Sequence, residues 1–270
     1  MRSSLPRSVG SRTSFGESIS VQWRVVHALL MRELITRFGR DNLGVLWLVA
    51  EPMLFTLGVA TLWAFSGLRH GSGISPVALA VTGYSSVLMW RNSTSRCGAA
   101  LEQNKALLYH RNVRAIDVFA ARIVLEIGGA TASFAVLASA CIYFGWMPPP
   151  KDLLEVIFGW LMLAWFGAAL ALLVGSTTAF SDVVDRMWHP TAYLLFPLSG
   201  AAFMVAWLPL TMQPFVLLLP MVHGTEIVRE GWFGGGVHAH YDAGYMAYCS
   251  LSLSLCGLYV VRIAGRRVMM

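Results

Sequence analysis

The sequence "VIFGWLMLAWFGAALALLVGSTTAF", residues 156–180, gives the clearest indication of the fold class, because it contains no charged residue and no histidine. An α-helix needs about 20 mostly apolar residues to cross the hydrocarbon core of a bilayer. This stretch is long enough and carries no charged side chain that would need a partner inside the membrane. It therefore predicts a transmembrane helix, and the rest of the chain is interpreted around it.

The composition agrees with a membrane protein. The 270 residues are 56% hydrophobic and only 13% charged, whereas about 25% of the residues of a soluble domain are charged. This deficit excludes one or two ordinary soluble domains. The four cysteines form no C-x-x-C pair and no zinc-like spacing, so we interpret them as small apolar residues and predict no metal site.

Five further apolar stretches are candidate membrane spans, at 43–65, 74–90, 123–146, 190–208 and 243–261. Five prolines interrupt the uncharged sequence between Met187 and Val222, which is too long for one helix. Irregular backbone persists at membrane depth only where protein covers it. We therefore predict an all-α integral membrane protein with six transmembrane helices and short re-entrant outer helices within 209–236.

The basic residues test the count of six, which places both termini on one side of the membrane. All 20 Lys and Arg except Arg69, Lys151 and Arg229 then fall on the side of the N-terminus. Short loops that remain in the cytoplasm are enriched in Lys and Arg. The distribution therefore predicts that both termini are cytoplasmic.

The N-terminal region divides into two parts. Residues 1–19 are rich in Ser and Arg and lack the apolar core of a secretory signal, so we predict a polar cytosolic tail. Residues 20–40 carry an apolar stripe at helical spacing, made of Trp23, Val26, Leu30, Leu34 and Phe38. With arginines off the stripe, this pattern predicts an amphipathic helix on the cytoplasmic membrane surface. A helix packed on a soluble partner is the alternative. Residues 41–270 form the six-span transmembrane domain.

Two carboxylates, Glu51 and Glu126, fall inside predicted spans. A charged side chain in a span costs about 2.5–3.5 kcal/mol on insertion scales, so each should face protein or water and have a partner. Glu51 precedes Pro52, which frees backbone groups of the helix. Two interpretations stay open, a structural carboxylate or the proton site of a secondary transporter.

A polar motif lies in the outer region. His223, Glu226 and Glu230 share one helix face, and Arg229 lies next to it. The motif is interpreted as hydrogen-bonded and ion-paired structure, as a fragment of a metal site without a third ligand, or as an intramembrane enzyme, such as an acyltransferase, that uses His223 with Glu226.

The segment 91–122 is cytosolic in this topology and is either a docking segment for a partner protein or a solvated connector. An ATP-hydrolysing P-loop needs G-x-x-x-x-G-K-[ST]. The two lysines, Lys105 and Lys151, do not lie in such a motif. The chain therefore does not hydrolyse ATP by that route.

Three stretches together resemble one family. They are "RELITRFGRDNLGVLWLVAEP" (32–52), "EQNKALLYHRNVRAIDVFAAR" (102–122) and "PMVHGTEIVRE" (220–230). In this order they resemble the permeases of polysaccharide-exporting ABC transporters of the type-2 superfamily, particularly the capsular-polysaccharide (KpsM-like) type. With the topology, the resemblance covers nearly the whole chain.

The resemblance implies a homodimeric permease in the bacterial inner membrane that exports lipid-linked capsular polysaccharide. It implies two copies of a separate ATPase subunit, which bind ATP and Mg, and no cofactor in this chain. Membrane lipids and a periplasmic polysaccharide co-polymerase are further expected partners, and nucleic acid is not. The alternatives are a permease for O-antigen or teichoic acid and, in another class, a proton-coupled secondary transporter using Glu51 or Glu126.

The resemblance also assigns roles to residues. Coupling to the ATPase is assigned to Glu102, Asn104, Tyr109, Arg111, Arg114 and Asp117. The outer motif consists of His223, Glu226, Arg229 and Glu230. Candidates for a substrate path, on which flat rings stack against sugars, are Trp47, Glu51, Phe55, Trp63, Tyr84, Trp90, Tyr193 and Trp207. A cytosolic mouth that gathers anionic groups is assigned to Arg37, Arg40, Arg91 and Arg96.

Overall fold

The structure is a computed structural model, and it describes residues 15–38, 44–65, 74–109, 113–236 and 238–268. These residues form helices and connecting turns and contain no β-strand. The helices are α1 Phe15–Phe38, α2 Gly44–Phe65, α3 Pro76–Cys97, α4 Ala100–Gln103, α5 Lys105–Leu108, α6 Ala115–Tyr143, α7 Leu153–Thr177, α8 Asp182–Leu198, α9 Gln213–Val216, α10 Pro220–Phe233 and α11 Ala243–Val268. Short 3-10 turns lie at Val205–Trp207 and Gly234–Gly236.

Four helices in the described part of the chain are long and apolar enough to cross a membrane, at Leu46–Phe65, Ala115–Tyr143, Leu153–Thr177 and Ala243–Arg267. The prediction of an all-helical membrane protein is confirmed at this level. The stretches predicted as spans at 74–90 and 190–208 do not meet the same criterion of helix length and apolar composition. The count of six spans therefore stays a prediction.

Helix α7 lies at the centre of the bundle and packs against α3, α10 and α11. Its glycines permit close approach of neighbouring backbones. A Cβ on Gly167 would lie 2.9 Å from the Cα of Trp90 in α3, and one on Gly159 would lie 2.8 Å from the backbone nitrogen of Val228 in α10. The uncharged sequence 156–180 therefore also supplies the helix on which α3, α10 and α11 pack.

Helix α1 covers most of the predicted interface helix 20–40, and part of the predicted stripe is buried. Val26 and Leu30 of the stripe pack beside the buried Leu29, whereas Trp23 is 72% exposed. This face packs against α6. The side chains of Phe38 and Arg37, with Arg40, lie outside the described residues. Placement of α1 on the membrane surface stays a prediction.

Helix α8 begins eight residues before the predicted start at 190 and ends ten residues before 208. The hydroxyl of Ser181 accepts from the backbone N–H of Val183 and caps the helix. The helix ends before Gly200, whose φ of 78° turns the chain. Pro190 and Pro197 lie inside α8 and do not end it, whereas Pro220 begins α10.

Candidate functional site

The structure buries three residues of the outer motif together. His223 is 3% exposed, and Glu226 and Arg229 have no exposed surface. They follow one another at three-residue steps along α10, so their side chains project from one side of the helix. We call these three residues the outer brace. Burying ionisable groups is unfavourable unless partners satisfy them, and each has such partners.

The guanidinium of Arg229 holds the loop that follows α8. Its Nη1 donates to the carbonyl of Phe203 at 2.5 Å, and its Nη2 donates to the carbonyl of Ala201 at 2.8 Å. Burial lowers the pKa of Arg229 to about 10, and nearby Glu226 opposes that shift, so the side chain stays charged at neutral pH. A Cβ on Gly83 of α3 would lie 2.5 Å from Nη2. Only glycine leaves this space for the arginine.

Glu226 joins two other segments. Its Oε1 accepts from the backbone N–H of Val205 at 3.3 Å, and its Oε2 accepts from the backbone N–H of His240 at 3.2 Å. The Oε1 atom lies 3.9 Å from Nη1 of Arg229. Burial raises the pKa of Glu226, and the charge of Arg229 works against that rise. The carboxylate thus connects the 3-10 turn after α8 with the irregular segment that leads into α11.

The ring of His223 is held at both nitrogens. Its Nδ1 accepts from the backbone N–H of Asp242 at 2.9 Å, and its Nε2 lies 2.8 Å from the carbonyl of Leu217. Because a carbonyl only accepts, the proton must be on Nε2, and the ring is the neutral tautomer. Burial lowers the pKa of His223, which agrees with a neutral ring. Neither nitrogen is available to a metal ion or a substrate in this arrangement.

Glu230, the fourth residue of the motif, does not belong to the brace. It is only partly buried and lies near Tyr241, whose hydroxyl donates to Glu155 at 3.2 Å. Burial, followed by the carboxylates of Glu230 and Glu155, raises the pKa of Tyr241 to about 12. Among the described residues, no three His, Cys, Asp or Glu side chains are grouped so that they could hold a metal ion.

The predicted coupling segment is largely helical. Helix α3 continues to Cys97, α4 and α5 follow, and α6 begins at Ala115. Asp117 caps that beginning, because its Oδ2 accepts from the backbone N–H of Arg114 at 2.8 Å. Glu102, Tyr109 and Arg114 are exposed, whereas Asn104 and Asp117 are buried. Arg111 lies outside the described residues.

Side chains of α1 bind this segment at three points. Gln22 donates to Asp117, and Arg32 donates to Oδ1 of Asn104 at 2.9 Å. Glu33 lies 3.1 Å from Nε of the buried Arg122. Arg122 also donates to Gln103 and to the carbonyl of Arg96. The assigned residues Asn104 and Asp117 therefore connect α1 to the segment, while the other described residues of the set face outwards.

Glu51 has a cationic partner. Its Oε1 lies 3.2 Å from Nη2 of Arg96 at the end of α3, and the side chains of both residues are about half exposed, 49% and 47% respectively. The structure thus joins one residue assigned to the substrate path with one assigned to the cytosolic mouth. Glu126, in contrast, is buried within α6.

Four aromatic rings from three helices meet between α2, α3 and α8. The ring of Tyr84 lies 5.0 Å from Phe196, 5.5 Å from Trp63 and 6.0 Å from Phe55, measured between centroids. The guanidinium of Arg91 lies 4.6 Å from the centroid of the Tyr193 ring. Three of the seven aromatic residues assigned to the path, Phe55, Trp63 and Tyr84, thus lie together, and Tyr193 is joined to Phe196 through Arg91.

Three other assigned aromatic residues lie elsewhere. Trp90 is fully buried and packs against Phe166, with centroids 6.4 Å apart. Trp47 is exposed on α2, and Trp207 is half-buried in the turn after α8. Sequence reasoning missed Phe196, although it lies three residues after Tyr193 on the same helix face.

The comparison with known protein families covers most of the chain. The family described as "ABC-2 type transporter" matches residues 24–233, a range that includes the coupling segment, the aromatic cluster and the outer brace. The chain belongs to the ABC-2 transporter family. It is therefore a membrane subunit of a transport system.

Relatives of this ABC-2 chain have been named for capsule export. It is 42% identical over 250 residues to the capsule polysaccharide export inner-membrane protein CtrC of Neisseria meningitidis, which covers 93% of this chain and 94% of the relative. It is 38% identical over 253 residues to the protein BexB of Haemophilus influenzae, which has the same description, over 94% and 96% of the two chains. The polysialic acid transport protein KpsM of Escherichia coli is 26% identical over 249 residues, 90% and 94% of the chains.

The two polar sites of the ABC-2 chain lie at opposite ends of α3. The outer brace reaches the carbonyl of Leu79 in the first turn of α3. Helices α4 and α5 of the coupling segment follow Cys97, the last residue of α3. At 1.5 Å per residue, these positions are about 27 Å apart along the helix. Residues that sequence reasoning did not assign to the sites, such as Gln22 and Gly83, complete them.

Proposed function

We propose that this chain is the permease subunit of an ABC exporter that moves lipid-linked capsular polysaccharide across the bacterial inner membrane. The observation that carries the proposal is the alignment with CtrC and BexB, at 42% and 38% identity over nearly the full length of both chains. Membership of the ABC-2 family supports the same assignment. Capsule export is favoured over O-antigen or teichoic acid export because these relatives are named for capsule.

The energy source in this proposal is a separate ATPase subunit, present in two copies that bind ATP and Mg. Neither lysine of the chain lies in a P-loop motif. The coupling segment offers the ATPase exposed side chains at Glu102, Tyr109 and Arg114. Its buried residue Asn104 is bonded to Arg32 of α1, so a push on the segment would be passed to α1 and α6.

The transport path is proposed to lie between two copies of the chain. Helix α2 is poorly covered, with Leu62 and Phe65 among its exposed side chains, and Leu194 is exposed on α8. The same two helices contribute Phe55 and Phe196 to the aromatic cluster. Aromatic rings stack on sugar faces without fixing one register, which suits a chain that slides. Homodimerisation buries these apolar side chains.

The proposed topology has six crossings with both termini cytoplasmic, in which α3 and α8 add to the four apolar helices. Helix α3 packs against α2, α6 and α7, so protein surrounds its hydroxyl-bearing side chains. The segment between α8 and α11 is then re-entrant on the outer side. The outer brace would hold it in place where a periplasmic co-polymerase receives the polymer.

The observed contacts of Glu51 favour the structural interpretation over proton-coupled transport. Its carboxylate forms an ion pair with Arg96, with Oε1 3.2 Å from Nη2, and so has a partner within the protein. The acyltransferase alternative is disfavoured because His223 binds protein at both nitrogens.

Copurification tests the proposal. The tagged permease, expressed with the neighbouring genes of its operon, should bring down an ATPase, and polymer movement should stop when the P-loop lysine of that ATPase is replaced. Uptake by the permease alone, driven by a pH gradient, would refute the proposal and favour a secondary transporter.

A further inference from the structure

A basic cavity lies between the start of α6 and the end of α11. Its volume is about 720 Å³, within the range of about 300–1,000 Å³ typical of ligand pockets. Three arginines line it, Arg114, Arg262 and Arg266, and none of the described lining residues is Asp or Glu. The nearby carboxylate of Asp117 is outside the lining and is occupied by Gln22 and by the backbone N–H of Arg114. The cavity therefore carries net positive charge.

The cavity is polar at one end and apolar at the other. Arg266 lies near the end of α11, and Leu258 lies eight residues earlier, which is about 12 Å deeper along the helix. On the facing helix, Arg114 precedes the first turn of α6 and Ile116 lies within it. Both helices are apolar and long enough to cross a membrane. The arginines thus lie at helix ends, where the headgroups of a bilayer are, and the apolar wall continues towards the acyl chains.

We propose that this cavity binds an anionic phospholipid of the bilayer, such as phosphatidylglycerol, with the phosphate between the arginines and an acyl chain along Leu258 and Ile116. Basic pockets between membrane helices are sites for anionic headgroups. A soluble acidic segment would match the charge but not the apolar depth. The site is separate from the proposed polymer path, because it lies between α6 and α11, whereas the aromatic cluster lies between α2, α3 and α8.

The position of the cavity links the lipid to the coupling segment. Leu108 and Tyr109, at the end of α5, form part of its lining. A bound lipid therefore supports the end of this segment from the membrane side. This assignment needs only a membrane protein and does not depend on which polymer is exported.

The test is titration of the purified transporter in detergent with phosphatidylglycerol, with the bound lipid counted by native mass spectrometry. Each arginine near a headgroup strengthens binding about five-fold, so Arg266→Gln should weaken the tightest site by about that factor. Arg266→Lys should retain most of the affinity because it keeps the charge. The matched control is Arg267→Gln on the same turn, whose guanidinium lies 5.2 Å from the Phe180 ring and not in the cavity. It should bind as the wild type does.

Four outcomes would overturn the proposal. Equal binding by Arg266→Gln and Arg267→Gln would show that the cavity is not the site. Equal retention of phosphatidylethanolamine, or full competition by glycerol 3-phosphate, would show that charge and acyl chain are not both recognised. Loss of ATPase subunit without loss of lipid in Arg266→Gln would assign the cavity to the ATPase. Melting temperatures measured without added lipid show whether each variant is folded.

Discussion

Replacing Arg229 by Met removes the centre of the outer brace. The variant loses the two short charge-assisted hydrogen bonds, to Ala201 and Phe203, besides the 3.5 Å contact with the carbonyl of Leu79. Each such bond contributes about 1.5–3 kcal/mol, which gives about 3–6 kcal/mol together. For a chain of this size, about 2–4 °C of melting temperature correspond to each kcal/mol. We therefore expect the melting temperature to fall by at least about 6 °C.

The assay is thermal unfolding of the purified permease in a mild detergent, followed by tryptophan fluorescence. Arg186→Met is the matched control, since Arg186 is exposed on α8, and it should change the melting temperature little. The double variant Arg229→Met/Glu226→Gln should be less destabilised than the sum of the two single variants, because removing the arginine leaves the buried carboxylate without its cation. Equal melting temperatures for Arg229→Met and Arg186→Met would refute the brace.

Three further predictions concern the outer brace and the coupling segment. Gly83→Ala should lower the melting temperature, since its Cβ would meet the carbonyl of Ala201 at 2.2 Å, whereas Gly58→Ala, with no atom within 4 Å, should not; similar melting points would contradict this. Because burial lowers the pKa of His223 below its usual 6.5, the unfolded chain binds more protons below pH 6.5. Stability should therefore fall as pH drops through that value, and His223→Gln should flatten this dependence; unchanged slopes would count against a neutral buried ring. Asn104→Ala should reduce polymer moved per ATP hydrolysed, and adding Arg32→Ala should cause little further loss; additive losses would show that the two residues act separately.

The apolar helices could be predicted from the sequence because the membrane imposes a long uncharged stretch. The bounds of α7, Leu153–Thr177, lie within three residues of the predicted span 156–180. The structure of segment 91–122 was harder to predict, because helices of four residues such as α4 and α5 are too short to show the helical period of apolar residues. The extension of α3 through Arg91 and Arg96 was missed since these charges resemble a loop.

The residues of the outer motif could be predicted from their spacing, but their partners could not. The acceptors of Arg229 are backbone carbonyls 26 and 28 residues away in the chain, and any residue type supplies such a carbonyl. The same holds for α1. Its apolar stripe was visible, but the polar contacts of Gln22, Arg32 and Glu33 with partners in the coupling segment and α6 were not.

The aromatic cluster shows what a single sequence leaves open. Phe55, Trp63 and Tyr84 were selected because they lie in predicted spans, and the structure brings them together with Phe196. Trp90 met the same criterion and is buried against α7 instead. Rings of both kinds lie in predicted spans, so the packing of the helices is needed to separate them.

In the proposed function, this chain forms the membrane path for capsular polysaccharide and a separate ATPase drives it. To test this directly, the permease and that ATPase are reconstituted in proteoliposomes whose outer leaflet carries the lipid-linked polymer. Protection of the polymer from an added capsule-degrading enzyme is then measured. We predict protection that requires ATP and both subunits. Protection of the polymer without ATP or without the ATPase would refute this function. Efficient transport of O-antigen with no protection of capsular polymer would refute it as well.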